Sequence, residues 1–299
     1  MKGILVMAYG GPTSLDQVEP YYTHIRGGRK PSPEQLEELI SRYRAIGGSS
    51  PLLGITERQA AGLEKALRSR GGAVVFAGMK HSPPFIGDVM KDAGARGVTE
   101  LLCVALAPHY SSISIGGYRR AVEEANQKLD PPMKVTFVKS WHSNPKLISM
   151  WAGRVKEAGR TAGAEASLVF SAHSLPERII REGDPYKDQL LESSRLIAEK
   201  AGVQDWSFTF QSQSKTGEPW LGPDILDHLE SLYEKGRRRF ISAPVGFVSD
   251  HLEILYDIDI EAQGWARRRG AELVRCESPN DTAEMTSCLV EIAEQNGFA

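Results

Sequence analysis

Short apolar runs recur along the chain, and between them lie longer stretches whose apolar positions fall at helical spacing. The short runs predict strands at Ile4–Tyr9, Val74–Met79, Leu101–Ala107, Val135–Trp141, Ser167–Ala172, Ser207–Gln211, Phe240–Val245 and Glu272–Arg275. The longer stretches predict helices over 15–25, 33–45, 56–69, 85–95, 116–129, 146–160, 187–201, 224–235, 250–263 and 281–295. Strands that alternate with helices form parallel sheets covered on both faces. Right-handed crossovers then give a doubly wound α/β fold.

The pattern repeats halfway along. "ILVMAYGGP" is a strand, a tyrosine, a turn and a proline, and "LVFSAHSLP" has the same plan with a histidine. "LLCVALAPHYSS" is echoed by "RRFISAPVGFVSD", each a strand leading into Ala-Pro and polar residues. Two similar α/β lobes around a cleft are therefore expected: residues 1–138, then residues 139–276 carrying His173 and Glu253. The turn signals "LDPPM" and "SWHSNPK" mark the join, and the final segment 277–299 is expected to pack back on the first lobe.

Ligands of open α/β sheets bind beyond the carboxyl ends of the strands. Tyr9, His109, His173 and the 244–250 loop all fall there. His173 is either a satisfied strand-end histidine or a working one, able to take a proton or bind a metal near neutral pH. In "VSDHLEILYDIDIEAQ", Glu253, Asp257 and Glu261 recur every four residues, along one helix face. Two readings stand: a solvated acidic face, or a carboxylate ladder whose mutual repulsion a divalent cation relieves. Spacing alone favours the first, while the apolar neighbours and the scarcity of basic ones count against it and suit the second. "HIRGGRKP" offers Arg26, Arg29 and Lys30 as a clamp for carboxylates or as an ordinary basic turn. "AIGGSSPL" can cradle an anion or serve as a plain loop. His81 and His109 lack a carboxylate beside them in sequence and read as structural, and His142 is assigned no role.

The 299 residues, 41% hydrophobic and 25% charged, suit a folded protein of one large or two medium domains. Lys and Arg total 36 against 38 Asp and Glu, so no basic excess points to nucleic acid. The three cysteines have no C-x-x-C spacing, so neither zinc nor an iron–sulfur cluster is indicated. The chain opens directly on a strand without a signal-peptide layout, and no apolar run approaches the ~18 residues of a membrane span. A cytoplasmic protein is expected. No G-x-G-x-x-G or P-loop fingerprint is present, which counts against a nucleotide-dependent enzyme.

Six segments together carry a resemblance: "RYRAIGGSSPL", "LAPHYS", "SAHSLP", "DPYKDQL", "PWLGPD" and "GFVSDHLEILYDID". Spread over the whole length, they resemble the ferrochelatase family, closest to its Gram-positive, coproporphyrin-using branch because "VMAYGGP" places Tyr9 after the first strand. The resemblance implies two Rossmann-like lobes, each with a parallel four-stranded sheet, around a porphyrin cleft. It implies a lyase of haem biosynthesis that inserts Fe²⁺ into coproporphyrin III, giving coprohaem and two protons. His173 matches the family's active-site histidine and Glu253 its partner carboxylate. Asp257 and Glu261 match an acidic line that carries or holds metal, and Tyr9 the tyrosine on the opposite face of the macrocycle. Arg26, Ser50 and Tyr118 match positions near the propionates. Gly27 departs from the second arginine common in the branch, which either weakens one propionate clamp or leaves Arg29 to replace it. Iron and the porphyrin are substrates, no cofactor is required, and a monomer without stable membrane insertion, in transient contact with neighbouring pathway enzymes, is implied. The alternatives are a protoporphyrin IX ferrochelatase, a sirohydrochlorin or cobalt chelatase, and a non-catalytic haem- or metal-binding protein.

Overall fold

A computed structural model describes residues 1–68, 72–214 and 217–298. The first half runs β1 Lys2–Ala8, α1 Val18–Ile25, α2 Pro33–Ala45, α3 Leu52–Arg68, β2 Val74–Met79, α4 Ile86–Ala95, β3 Glu100–Ala105, α5 Ile115–Asn126 and β4 Lys134–Val138. After α6 Pro145–Ala162 come β5 Ser167–His173, α7 Arg178–Arg181, α8 Tyr186–Ala201, β6 Trp206–Gln211, α9 Ile225–Glu234 and β7 Arg239–Ala243. The chain ends with α10 Leu252–Leu255, a π-helical turn Asp257–Ala262, α11 Gln263–Arg269, β8 Glu272–Arg275 and α12 Ala283–Gln295.

The strands form two parallel four-stranded sheets, ordered β2-β1-β3-β4 and β6-β5-β7-β8. Shifting the first order by four strands gives the second, so the repeat read in the sequence is a repeat of topology. The central strands β1 and β5 are covered on both faces, and so their sequences are mostly apolar rather than strictly alternating. In β1, Ile4 and Val6 enter one core while Leu5 and Met7 enter another. The first of these cores is shared: it joins Ile4, Val6 and Leu102 of one sheet to Leu168, Phe170 and Ile241 of the other through α3, α6 and α12. The last helix thus packs among residues of both lobes. Asn144 starts α6 by accepting from the Lys146 and Leu147 amides, and Thr282 starts α12 by accepting from Met285. Among the described residues no helix is long and apolar enough to cross a membrane.

Two elements differ from the periodicity. The helix expected over 56–69 begins at Leu52, where Ser50 Oγ accepts from the Leu52 amide, and position 69 lies outside the described residues. The helix expected over 250–263 is not one regular helix. A short α-turn passes into a π-turn, where Glu261 N donates to Tyr256 O at 2.9 Å, and helical structure continues to Arg269. Periodicity at helical spacing does not reveal an inserted wide turn, and such turns are rare outside functional sites. The four-residue α7 is too short to carry a period at all.

Candidate active site

β1 and β5 hold the same place in their sheets, and each delivers one candidate residue at its carboxyl end. Tyr9 comes directly after β1, and His173 is the last residue of β5. His173 pairs in register with Gln211 of β6. Tyr186 Oη donates to the His173 carbonyl at 3.0 Å, which fixes the backbone beneath the ring. The ring's Nδ1 donates to the Ser174 carbonyl. Nε2 is thereby the nitrogen left free, and it stands 3.6 Å from Glu253 Oε1.

Glu253 lies in α10, where Gln211 Nε2 donates to its carbonyl at 2.7 Å. Ser171 Oγ in turn donates to Gln211 Oε1 at 3.0 Å, so the β5–β6 pair carries both the histidine and the anchor of its partner. His251 Nε2 stands 3.7 Å from Glu253 Oε2, while its Nδ1 donates to the Ser249 carbonyl at 2.9 Å. Burial works to raise the Glu253 carboxyl, but His173, His251 and Arg42 outweigh it and hold it at about 2. His251 is shifted the other way: burial lowers it, and the Glu253 carboxylate more than restores it. Glu253 Oε2 is buried without a hydrogen-bond partner, an acceptor open to a cation.

Asp257 is 6% exposed and accepts from Ser212 Oγ. Burial, then the charge of Glu253, raises it to about 7 against the opposing pull of Ser212 and Arg42. Burial also raises Glu261, with Arg42 opposing. The three carboxylates therefore form an electrostatically connected line across the π-turn. The expectation of few basic neighbours needs correction: Arg42 of α2, in the other half of the chain, acts on all three and lies 5.1 Å from the Tyr256 ring centroid. Among the described residues no group of three or more His, Cys, Asp or Glu side chains is close enough to hold a metal. Of the four expected metal-binding residues, the structure brings His173 and Glu253 together and sets Asp257 and Glu261 along a line behind them.

On the facing side, Tyr9 is 41% exposed. Its phenol is shifted upward by desolvation and then by the charge of Glu253. His81 packs 4.5 Å from Tyr9, centroid to centroid, and one of His81 and His24 donates Nδ1–H to the other's Nδ1 at 3.0 Å. His81 thus packs beside Tyr9 and His24, held near 3 by burial, Lys80 and His24. Lys80 Nζ lies 5.8 Å from the Tyr9 ring centroid and 5.3 Å from that of Tyr118. His109 is buried against Ser193, as a structural histidine would be, and His142 pairs with Glu192 at 2.9 Å.

The four expected anchors divide. Arg26 ends α1 over the Tyr22 ring with its Nε unpartnered, and the exposed Arg29 donates Nε–H to the Arg26 carbonyl at 3.3 Å. Ser50 and Tyr118 are buried, and Ser50 is engaged at the start of α3. Sequence reasoning missed His251, Lys80, Gln211 and Arg42. His251 stands two residues before Glu253 inside "GFVSDHLEILYDID", and Lys80 directly succeeds a strand, so both left a trace. Arg42 left none, since only the approach of α2 to the π-turn gives it a role.

A sequence model of the ferrochelatase family matches residues 1–297. The ferrochelatase of Herpetosiphon aurantiacus is 46% identical over 292 residues, 96% of each chain. The coproporphyrin III ferrochelatase of Bacillus subtilis is 45% identical over 298 residues, covering 97% of this chain and 96% of the relative. Among solved structures, SirB from Bacillus subtilis with Fe³⁺ superposes with a TM-score of 0.61 at 12% identity over 99% of this chain and 98% of that one, a likeness of fold.

Proposed function

The chain belongs to the ferrochelatase family, and from that premise we propose that it inserts Fe²⁺ into coproporphyrin III, with His173, backed by the Glu253 carboxylate, as the proton acceptor. The observation that carries this reading is the pair itself. A strand-end imidazole with its free Nε2 stands 3.6 Å from a carboxylate whose charge is felt by Tyr9 of the other lobe.

The reaction is balanced without a further reagent: one divalent iron enters and two pyrrole protons leave. Its obstacle is the planar macrocycle, whose inward N–H groups block the ion. A cleft that bends the ring exposes the nitrogen lone pairs, and the binding energy of remote groups sustains that distortion. The propionates are such remote groups, and Arg26 and Arg29 are the charged donors placed to hold them, with Ser50 and Tyr118 shaping the wall. His173 Nε2 accepts a proton as the metal enters, and the resulting imidazolium is balanced by Glu253. Asp257, at about 7, shares the second proton along the line toward Glu261. Iron is substrate throughout, first drawn by the carboxylates and then held by the ring nitrogens with Tyr9 on the opposite face. The enzyme on this reading needs no resident cofactor, works as a monomer in the cytoplasm, and meets its pathway neighbours only transiently.

The test is anaerobic incubation of the pure protein with Fe²⁺ and either coproporphyrin III or protoporphyrin IX, monitored by loss of free-porphyrin absorption. Turnover with a higher kcat/KM for coproporphyrin III is expected. No turnover with coproporphyrin III, or a higher kcat/KM for protoporphyrin IX, would overturn the reading.

A further inference from the structure

Five carboxylates stand between residues 250 and 261, and in sequence they form one acidic run. The fold sorts them into two sets. Glu253, Asp257 and Glu261 form the line across the π-turn. Asp250 and Asp259 turn instead to Arg275, at the end of β8. Arg275 grips Asp259 with two parallel bonds, Nε to Oδ1 at 2.7 Å and Nη2 to Oδ2 at 3.0 Å. Its Nη1 reaches Asp250 Oδ1 at 3.3 Å. Asp250 is further fixed by Ser278 Oγ at 2.6 Å, by Asn280 Nδ2 at 2.9 Å, and by its own amide donating to Asn280 Oδ1 at 2.8 Å.

One guanidinium thus brackets the segment that contains His251, Glu253 and Asp257, gripping it just before α10 and again inside the π-turn. We infer that Arg275 is a positioning residue for metal insertion: it holds the π-turn in the register that presents Glu253 and Asp257 to the cleft. What that site does rests on the proposed iron-insertion function. The physical need is plain. A π-turn is an uncommon backbone state, and this one carries a line of like charges that repel one another. An external staple on its far side supplies two things at once. The planar fork of Arg fixes geometry in a way a lysine point charge does not, and its charge compensates the two carboxylates that the line does not use. Arg275 makes no hydrogen bond to His173, Glu253 or Asp257, so it acts on them only through the backbone it holds.

The experiment compares full-length Arg275→Met, Arg275→Lys, Asp259→Asn and the Arg275→Met/Asp259→Asn pair with the native chain. Three readouts are taken: porphyrin Kd by fluorescence, anaerobic iron-insertion kcat, and amide hydrogen exchange across 256–262. Arg275→Met is expected to lower kcat about 10- to 100-fold, as a displacement of reacting groups by about an ångström does, and to leave porphyrin Kd within about twofold. Arg275→Lys is expected to recover part of the loss. Adding Asp259→Asn to Arg275→Met is expected to change little more, since both break one contact. Exchange across 256–262 should quicken. A native kcat in Arg275→Met, a loss confined to porphyrin Kd, or fully additive effects would overturn the inference. If Arg275→Met does not fold, Asp259→Asn alone decides, because it keeps shape and must still lower kcat. If the native chain inserts no iron, the functional reading fails by itself; unchanged exchange in Arg275→Met and Asp259→Asn then overturns the positioning claim independently.

Discussion

The two lobes share a strand order and differ in the helical element after their third strand. After β3 the first lobe runs into a regular α-helix, α5, which carries the buried Tyr118. After β7 the second lobe runs into α10, which carries Glu253, then the π-turn, which carries Asp257 and Glu261, and then α11. The same contrast holds at the central strands, where Tyr9 after β1 answers His173 at the end of β5. One lobe therefore offers a phenol, cations and hydroxyls, and the other an imidazole backed by carboxylates. An anionic macrocycle that must admit a dication and lose protons needs both kinds of wall. The comparison teaches that a duplicated scaffold supplies a symmetric cleft, and that replacing one ordinary helix by a π-turn makes its chemistry one-sided.

If the division is real, it breaks most sharply in the second lobe. Glu253→Gln keeps shape and loses charge, and is expected to lower kcat roughly 10²- to 10³-fold, within the range of general-base contributions. Steady-state kinetics at saturating porphyrin check it, and a rate near native would move the proton acceptor elsewhere. The next effect concerns metal alone. Neutralising Asp257 and Glu261 together is expected to raise the KM for Fe²⁺ on the order of tenfold while the KM for porphyrin stays put. Equal changes in both would return these residues to a solvated acidic face.

The first lobe is expected to answer with selectivity. Coproporphyrin III has four propionates and protoporphyrin IX two, and a charge-assisted hydrogen bond contributes about 1.5–3 kcal/mol. Arg26→Ala is therefore expected to reduce the ratio of kcat/KM for the two porphyrins by about tenfold. An unchanged ratio would leave Arg26 with no part in the choice, and Gly27 makes Arg29 the next residue to vary. The smallest effect is on stability. Asp257 has a folded value of about 7 against its ordinary 3.8, raised by burial and by Glu253. A raised carboxyl stabilises the fold fully below its unfolded value, and that contribution is lost as pH rises through about 7. Asp257→Asn should therefore lessen the fall in Tm between pH 5 and 8 by roughly a few degrees, with scanning calorimetry as the check. An identical pH profile in both chains would contradict the burial of its charge.

Much of this architecture was legible because parallel strands buried on both faces leave continuous apolar runs. All eight strands among the described residues overlap the expected ones, though β6 and β8 are not continuously apolar, and the echo of "ILVMAYGGP" in "LVFSAHSLP" marks the two central strands. His173 and Glu253 were legible as candidates because strand ends and a carboxylate ladder have spacing signatures, although only the resemblance joined them. What escaped depends on contacts distant in sequence. Arg42 reaches the carboxylates from the other half of the chain, and His81 meets Tyr9 through the β1–β2 pairing. The π-turn escaped because carboxylates every four residues fit a regular helix in sequence. Ser50, read as an anchor, also accepts from the Leu52 amide, a local bond that a Gly/Ser-rich stretch does not announce.

The central claim is that one lobe binds the ring and the other performs the insertion, and the most direct test measures both steps on one variant from each. Porphyrin Kd by fluorescence and anaerobic single-turnover iron insertion would be recorded for His173→Ala and Arg26→Ala. The account predicts that His173→Ala binds coproporphyrin III within about twofold of native and loses insertion by about 10²-fold or more, while Arg26→Ala weakens binding and inserts iron at a near-native rate once saturated. Proportional losses of binding and insertion in both variants would contradict it.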